Sequence, residues 1–421
     1  MQRHTGAPEQ GFRLSQLIYD TRYRSLTIQV VVFILAMMGL VWLVDNTITN
    51  LRVLGKDFNF SFLGNRAGYD IAQTLIPYSN DSTHARALLV GLLNTLWISF
   101  LGCIAATVIG ILVGVLRLSR NWLIARLMTV YVEVFRNVPL LLWILVALAI
   151  FTDIMPAPNA YRPNPQTGEA AASMILFDHV APTNRYTAIP SVSFDRPLGT
   201  IDTPLMPISL SVVAALAALI GGWMIHRAIS ARATRIQNAT GTRPVTWWAS
   251  ALAILGPVTA VLLALGFHLN APAISGFNFT GGTNVSNAFV VLWLALSLYT
   301  GAFIAEIVRA GILAVSRGQT EAAFALGLRP GRTMSLVILP QALRVIIPPL
   351  ISQYLNLTKN SSLAIAVGYM DLRGTLGGIT LNQTGREMEA ILLMMLIYLA
   401  ISLTISAVMN IYNNRVKLKE R

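Results

Sequence analysis

Apolar positions along this chain come in long blocks rather than alternating with polar ones. Eight such stretches, at about 26–44, 88–116, 126–152, 206–226, 247–267, 286–312, 341–366 and 389–411, are runs of Leu, Ile, Val, Ala and Phe. About 20 apolar residues wound as a helix cross a hydrocarbon core of about 30 Å, so each block predicts one membrane span. The seventh contains Pro348, Pro349, Asn356, Lys359 and Asn360. Proline removes a backbone donor and kinks a helix, and the freed groups must be satisfied within the protein, so a break is expected there. The first block follows a basic leader (Arg3, Arg13, Arg22, Arg24) and ends at Val44 beside Asp45. Its length and the lack of a small-residue cleavage site favour an uncleaved anchor over a signal peptide.

Charge orients these spans. With the N-terminus inside, twenty Lys and Arg residues fall in cytoplasmic segments and nine in outside segments. Short cytoplasmic loops carry such an excess, so both termini are expected in the cytoplasm. The outside segments 45–87 and 153–205 are long, and the second, with Pro156, Pro158, Pro163, Pro165, Pro182, Pro190, Pro197 and Pro204, is expected to be irregular and solvated. The organisation read from these features is a leader at 1–25, a first span and outside loop at 26–87, and a first core part at 88–152. An insertion with two spans follows at 153–285, then a second core part at 286–411 and a basic tail at 412–421. No inverted internal repeat of the kind found in many secondary transporters is visible.

Composition removes several function classes. Hydrophobic residues make up 55% of the chain and charged residues 12%, where a soluble domain is nearer a quarter charged. The net charge of +13 lies in loops between apolar blocks, which does not suit nucleic-acid binding. The single cysteine, Cys103, can form no intrachain disulfide, and one cysteine is too few for a zinc or redox cluster. No G-x-x-x-x-G-K-[ST] phosphate loop is present, so ATP and Mg would belong to another chain. No catalytic pairing such as H-E-x-x-H is found either, so the chain is not expected to be an enzyme.

The informative loop lies between blocks six and seven. It runs from Ser316 through Thr320, Glu321, Ala322, Ala323, Gly327, Arg329, Pro330 and Arg332 to Val337-Ile338-Leu339-Pro340. Ser316 with Gln319 has the spacing of a capping box, and Thr320 is a second N-cap candidate. Glu321 is expected in the first helical turn, where negative charge suits the dipole. Gly327 can close a helix in the left-handed conformation, and Pro330 stops it resuming. A helix this short is marginal alone and needs something to dock on.

Glu321-Ala322-Ala323, three residues, Gly327, nine residues and Val337-Ile338-Leu339-Pro340 resembles the EAA loop of bacterial ATP-binding-cassette (ABC) importer permeases, departing from it only by Val337 in place of isoleucine. Three flanks resemble the polar amino acid permeases of the histidine, glutamine and arginine type: Tyr131 to Leu141, Tyr299 to Ile312, and Asn356 to Leu363. The extra first span and the insertion make the chain similar to a subunit of a general L-amino-acid importer, or of its glutamate/glutamine/aspartate/asparagine relatives. The resemblance implies an all-α polytopic fold of about eight helices with a type I importer core, in a bacterial inner membrane. It further implies a separate ATP-hydrolysing subunit received by Glu321, Ala322, Ala323, Gly327 and Pro340. A second permease subunit, of paralogous sequence, and a periplasmic amino-acid-binding protein complete the implied assembly.

Polar residues inside the membrane mark the candidate substrate path. A charge at mid-bilayer costs about 2.5–3.5 kcal/mol on insertion scales, so each should face protein or a cavity. Asn356, Lys359, Asn360, Ser361 and Ser362 could meet a zwitterion, Lys359 attracting its carboxylate; equally, they could tie broken helix segments to a neighbour. Glu133, Arg136 and Asn137 share one helical face, so Glu133 either lines the path or pairs locally with Arg136. Glu306 and Arg309 have the spacing of an anchoring pair. Gly110 and Gly114 form a G-x-x-x-G that permits close helix contact. An ion-coupled secondary transporter of a small polar solute remains the alternative function.

Overall fold

The computed structural model describes residues 21–53, 58–164, 166–203 and 206–416. The expected basic residues Arg3 and Arg13 of the leader, and Lys417, Lys419 and Arg421 of the tail, lie outside them. Among the described residues seven helices are long and apolar enough to cross a membrane, and a bent pair makes eight. Helix α1 (Thr21–Val53) belongs to a unit of its own, residues 1–62. It is apolar along most of its length.

The core of the second unit is built on α2 (His84–Leu116), whose N-cap Thr83 accepts a hydrogen bond from the Arg86 amide. It lies against α7 (Asn287–Leu313). Small residues set that contact. A Cβ added at Gly110 would stand 2.5 Å from Ile304, and one at Gly114 would stand 2.7 Å from the Ala305 carbonyl. The G-x-x-x-G therefore lets the two backbones approach, as close membrane packing requires.

Block three is not one helix. It divides into α3 (Trp122–Asn137) and α4 (Leu140–Ala149), continued by a π-helical turn at Ile150–Ile154, and the two parts meet at 105°. The cause is Pro139, which drives Val138 out of the helical region (φ −108°, ψ 134°). Block seven does the opposite. Helix α10 (Leu339–Asn360) passes through Pro348 and Pro349 without interruption and changes only at its end, to a 3₁₀ stretch at Ser361–Val367. The expected proline break is absent. A π-helical stretch at Arg373–Thr380 and the short α11 (Leu381–Thr384) follow. Helix α12 (Glu387–Val416) closes the core, whose buried side chains come from α2, α4, α7, α10 and the segment after it, among them Ile98, Ile144, Leu292, Leu296, Ile304 and Leu357.

The expected irregular loop carries short strands instead. Strands β1 to β5 are Ala181–Pro182, Tyr186–Ile189, Ser191–Phe194, Thr200–Asp202 and Pro207–Ser209. The inserted hairpin follows as α5 (Leu210–Thr240) and α6 (Trp247–Ala264). Strands β6 to β9 are Phe267–Asn270, Ala273–Ser275, Asn278–Thr280 and Thr283–Ser286. Pairing crosses the hairpin: β2 lies antiparallel to β9, and β3 to β6. Local proline-rich sequence gives no hint of partners on the far side of two helices. Asn287 ties this layer to the start of α7, donating to the Thr183 carbonyl at 2.7 Å and accepting from the Thr187 hydroxyl at 3.1 Å.

Candidate functional site

The loop after α7 holds a short helix, α8 (Arg317–Ala325), then α9 (Pro330–Thr333) and a π-helical turn at Met334–Ile338 leading into α10. Ser316 has the extended N-cap conformation, but its side chain caps nothing; the Gln319 amide bonds the Ser316 carbonyl at 3.1 Å. The capping box is thus half right, in position and not in chemistry. The Gln319 side chain instead accepts from Gln341 at 3.4 Å. Because the helix starts at Arg317, Thr320 is inside it and Glu321 falls in the second turn, not the first.

The end of α8 forms a Schellman closure. Leu328 N–H bonds the Ala323 carbonyl at 3.1 Å and Gly327 N–H bonds the Phe324 carbonyl at 2.9 Å. Gly327 has φ +75°, and an added Cβ there would meet nothing within 4 Å. Glycine is needed for the left-handed backbone, not for space. Pro330 then starts α9 at N1, where its missing N–H costs nothing.

This closure divides the motif into two faces. Ala323 is buried, and α8 packs against the π-helical turn and α9. Glu321, Ala322, Gly327 and Pro340 are exposed. Between them stand Phe324, 48% exposed, and Leu326, 82% exposed. Phe324 and Leu326 thus present apolar surface on the outward side of the loop, the kind of feature that marks interaction sites.

An ion cluster fixes the approach to this loop. Glu306 accepts from Arg309 at 2.6 Å, as its spacing foretold, and also from Arg117 at the end of α2. Arg117, 9% exposed, lies 189 residues away and was invisible to any local pattern. Glu133 does not pair with Arg136. It accepts from Asn137 at 3.3 Å, while Arg136 lies 5.3 Å over the Phe303 ring, a cation–π contact.

On α10, Asn356 and Lys359 are exposed and Asn360 half-buried; in the 3₁₀ stretch that follows, Ser361 is buried and Ser362 half-buried. Ser361 donates to the Thr358 carbonyl at 2.7 Å, which commits its hydroxyl to ending the helix. Ser352, which no motif marks, extends Asn356 and Lys359 into an exposed stripe at i, i+4 and i+7. Helix α3 packs on α7 and α2, and α10 on α7, α12 and α2, while the hydrogen bond of Glu133 stays within α3, from Asn137.

At the opposite end, the link between α10 and α12 holds a buried acid. Burial pushes the Asp371 carboxyl up to about 6, although it accepts from the Gly374 amide at 2.8 Å and the Tyr398 hydroxyl at 3.3 Å. Asn94 of α2 donates to the Met370 and Gln73 carbonyls, both at 2.9 Å, and so clamps this link to the core.

A family model described as binding-protein-dependent transport system inner membrane component matches residues 106–418. The chain belongs to that family. Its match runs from α2 through the 316–340 loop to α12, and it removes the ion-coupled alternative. The chain is 64% identical over 419 residues to the glutamate/glutamine/aspartate/asparagine transport system permease protein BztB of Rhodobacter capsulatus, covering 98% of each. It is 43% identical over 415 residues to the general L-amino acid transport system permease protein AapQ of Rhizobium johnstonii, covering 98% of this chain and 96% of that one. Among solved structures, one described as an amino acid ABC transporter with histidines aligns at TM-score 0.43 and 19% identity, over 79% of this chain and 95% of that chain.

Proposed function

We propose that this chain is the membrane-spanning permease subunit of an ABC importer for L-amino acids, coupled through residues 316–340 to a separate ATPase. It is a transporter component rather than an enzyme, in a multi-pass inner-membrane setting. The names of its relatives support amino acids as cargo, with glutamate, glutamine, aspartate and asparagine first among them.

The observation that carries the coupling is the two-faced loop. Ala323 and the Schellman closure hold α8 to its own chain, while Glu321, Ala322, Phe324 and Leu326 face outward. ATP draws two ATPase subunits together because it binds their closed state better, and α8 passes that closure to α7 and α10. The exposed stripe of Ser352, Asn356 and Lys359 supports a second permease subunit. A lysine facing hydrocarbon is costly, and a facing subunit with a wet path between the two removes the cost. A periplasmic binding protein delivers the amino acid on the strand side of the molecule, and both termini lie on the cytoplasmic side with the loop.

The test is reconstitution with the ATPase and binding protein. Glu321→Ala and Gly327→Ala should still insert and fold, the second with some loss of stability, while losing ligand-stimulated ATP hydrolysis and uptake. Normal transport by both variants would overturn the coupling role.

A further inference from the structure

The α5–α6 hairpin takes no part in the loop or the α10 stripe, and its charge is unusual. Between Asp202 and Glu306 the chain has no acidic residue, while Arg227, Arg232, Arg235 and Arg243 all fall at one end of the hairpin. All four are exposed, and among the described residues none forms an ion pair. Arg227 lies 4.8 Å over the Trp223 ring. On a helix of 3.6 residues per turn, Arg227, Arg232 and Arg235 fall within an arc of about 140°.

Their depth follows from helix geometry. Gly222 lies against Ala253 and Ile254, where an added Cβ would stand 2.4 Å from the Ala253 carbonyl. Trp247 is six residues, or about 9 Å, from that level, which puts it beside Ala228. Trp247 and Trp248 are 75% and 58% exposed, and such tryptophans sit at the headgroup boundary. Helix α5 runs on to Thr240, about 18 Å further, so its arginines start at the interface and continue outward. The strands fix which interface. Strand β5 precedes α5, β6 follows α6 and β9 precedes α7, so the arginine end lies on the side of residues 316–340.

We propose that this arginine cap binds anionic phospholipid headgroups. Guanidinium groups pair bidentately with phosphate oxygens, and basic segments directly outside a span bind anionic membrane surfaces. The bilayer is the occupant because chain continuity with a lipid-facing span starts the cap at headgroup level, and long arginine side chains further out can reach back to it. The hairpin's main contacts with the rest of the chain run through β5 and β6 at its far end, and bound headgroups steady the end that the strands leave free.

The test titrates the full chain, purified in detergent, with phosphatidylglycerol or phosphatidylcholine and counts bound lipid by native mass spectrometry. Wild type should bind phosphatidylglycerol at least about tenfold more tightly. The R232Q/R235Q/R243Q variant should lose about fivefold per arginine, or about a hundredfold, while the matching lysine variant keeps most of the preference. R162Q/R185Q/R196Q, on the strand side, should leave the curve unmoved. Equal binding of the two lipids, or an unchanged curve for the glutamine variant, overturns the proposal. So does a glutamine variant that keeps its lipid but sheds the ATPase, since the cap would then be a protein contact. Should the glutamine variant misfold, wild type decides: phosphatidylglycerol binding that survives high salt contradicts the proposal.

Discussion

Two helix pairs in this molecule are comparably apolar and have opposite surroundings. In α2 and α7 the most apolar stretches are 39% and 61% buried; in α5 and α6 they are 6% and 0% buried. Both pairs use glycine at their contact, Gly110 and Gly114 in one and Gly222 in the other. The core pair adds polar groups that need partners: Asn94 and Thr95 in α2, and Glu306 with Arg117 between α2 and α7. Lipid is as apolar as leucine, so hydrophobicity cannot bring helices together inside it; small residues and paired polar groups do. The core has both, and the hairpin is mostly glycine contact and lipid.

Removing the polar tie should strain that contrast most. Glu306→Ala leaves Arg117 buried without its acid, which costs about 3 kcal/mol or more, and thermal unfolding in detergent should show a large drop with loss of uptake. Gly110→Leu should follow, since its side chain would enter Ile304; overpacking costs about 1–3 kcal/mol. Gly221→Leu in the hairpin, where an added Cβ meets nothing within 4 Å, should change neither stability nor uptake. If the two glycine variants behaved alike, the distinction between the pairs would be lost. Gly327→Ala forces a left-handed alanine at about 1–2 kcal/mol and should lower coupled ATP hydrolysis more than overall stability.

The smallest effect is a pH slope. Asp371 holds its proton to about pH 6 when folded, against an ordinary value of 3.8. Its folded pKa is raised, so the native chain binds the proton more tightly, and stability falls as pH rises from about 4 to 6. Asp371→Asn keeps an acceptor for Gly374 and removes the slope. Melting curves from about pH 4.5 to 7.5 should show wild type declining relative to this variant, with Arg373, Tyr369 and Tyr398 present in both.

Much of this was legible in the chain. The apolar blocks give the spans, because lipid admits few alternatives to a helix. Glu321 to Pro340 gives the loop, because Gly327 and Pro330 punctuate it physically. The misreadings share a cause. Pro139 broke a helix and Pro348 with Pro349 did not, since whether a kink opens depends on neighbours that can take up the freed groups. Arg136 found Phe303 rather than Glu133, and Glu306 added Arg117 to the expected Arg309, because side chains choose partners in space. The strands of 181–286 were hidden for the same reason, pairing across an intervening hairpin.

One measurement bears most directly on the coupling claim. In a Cys103→Ser background, Ala322→Cys presents a thiol on the outward face of α8, while Ala323→Cys presents one on the buried face. With the ATPase subunit present, a short bifunctional thiol reagent should join Ala322→Cys to the ATPase in membranes and leave Ala323→Cys unjoined. Failure of Ala322→Cys to join, or its labelling by an impermeant reagent from the periplasmic side of intact cells, would contradict the account.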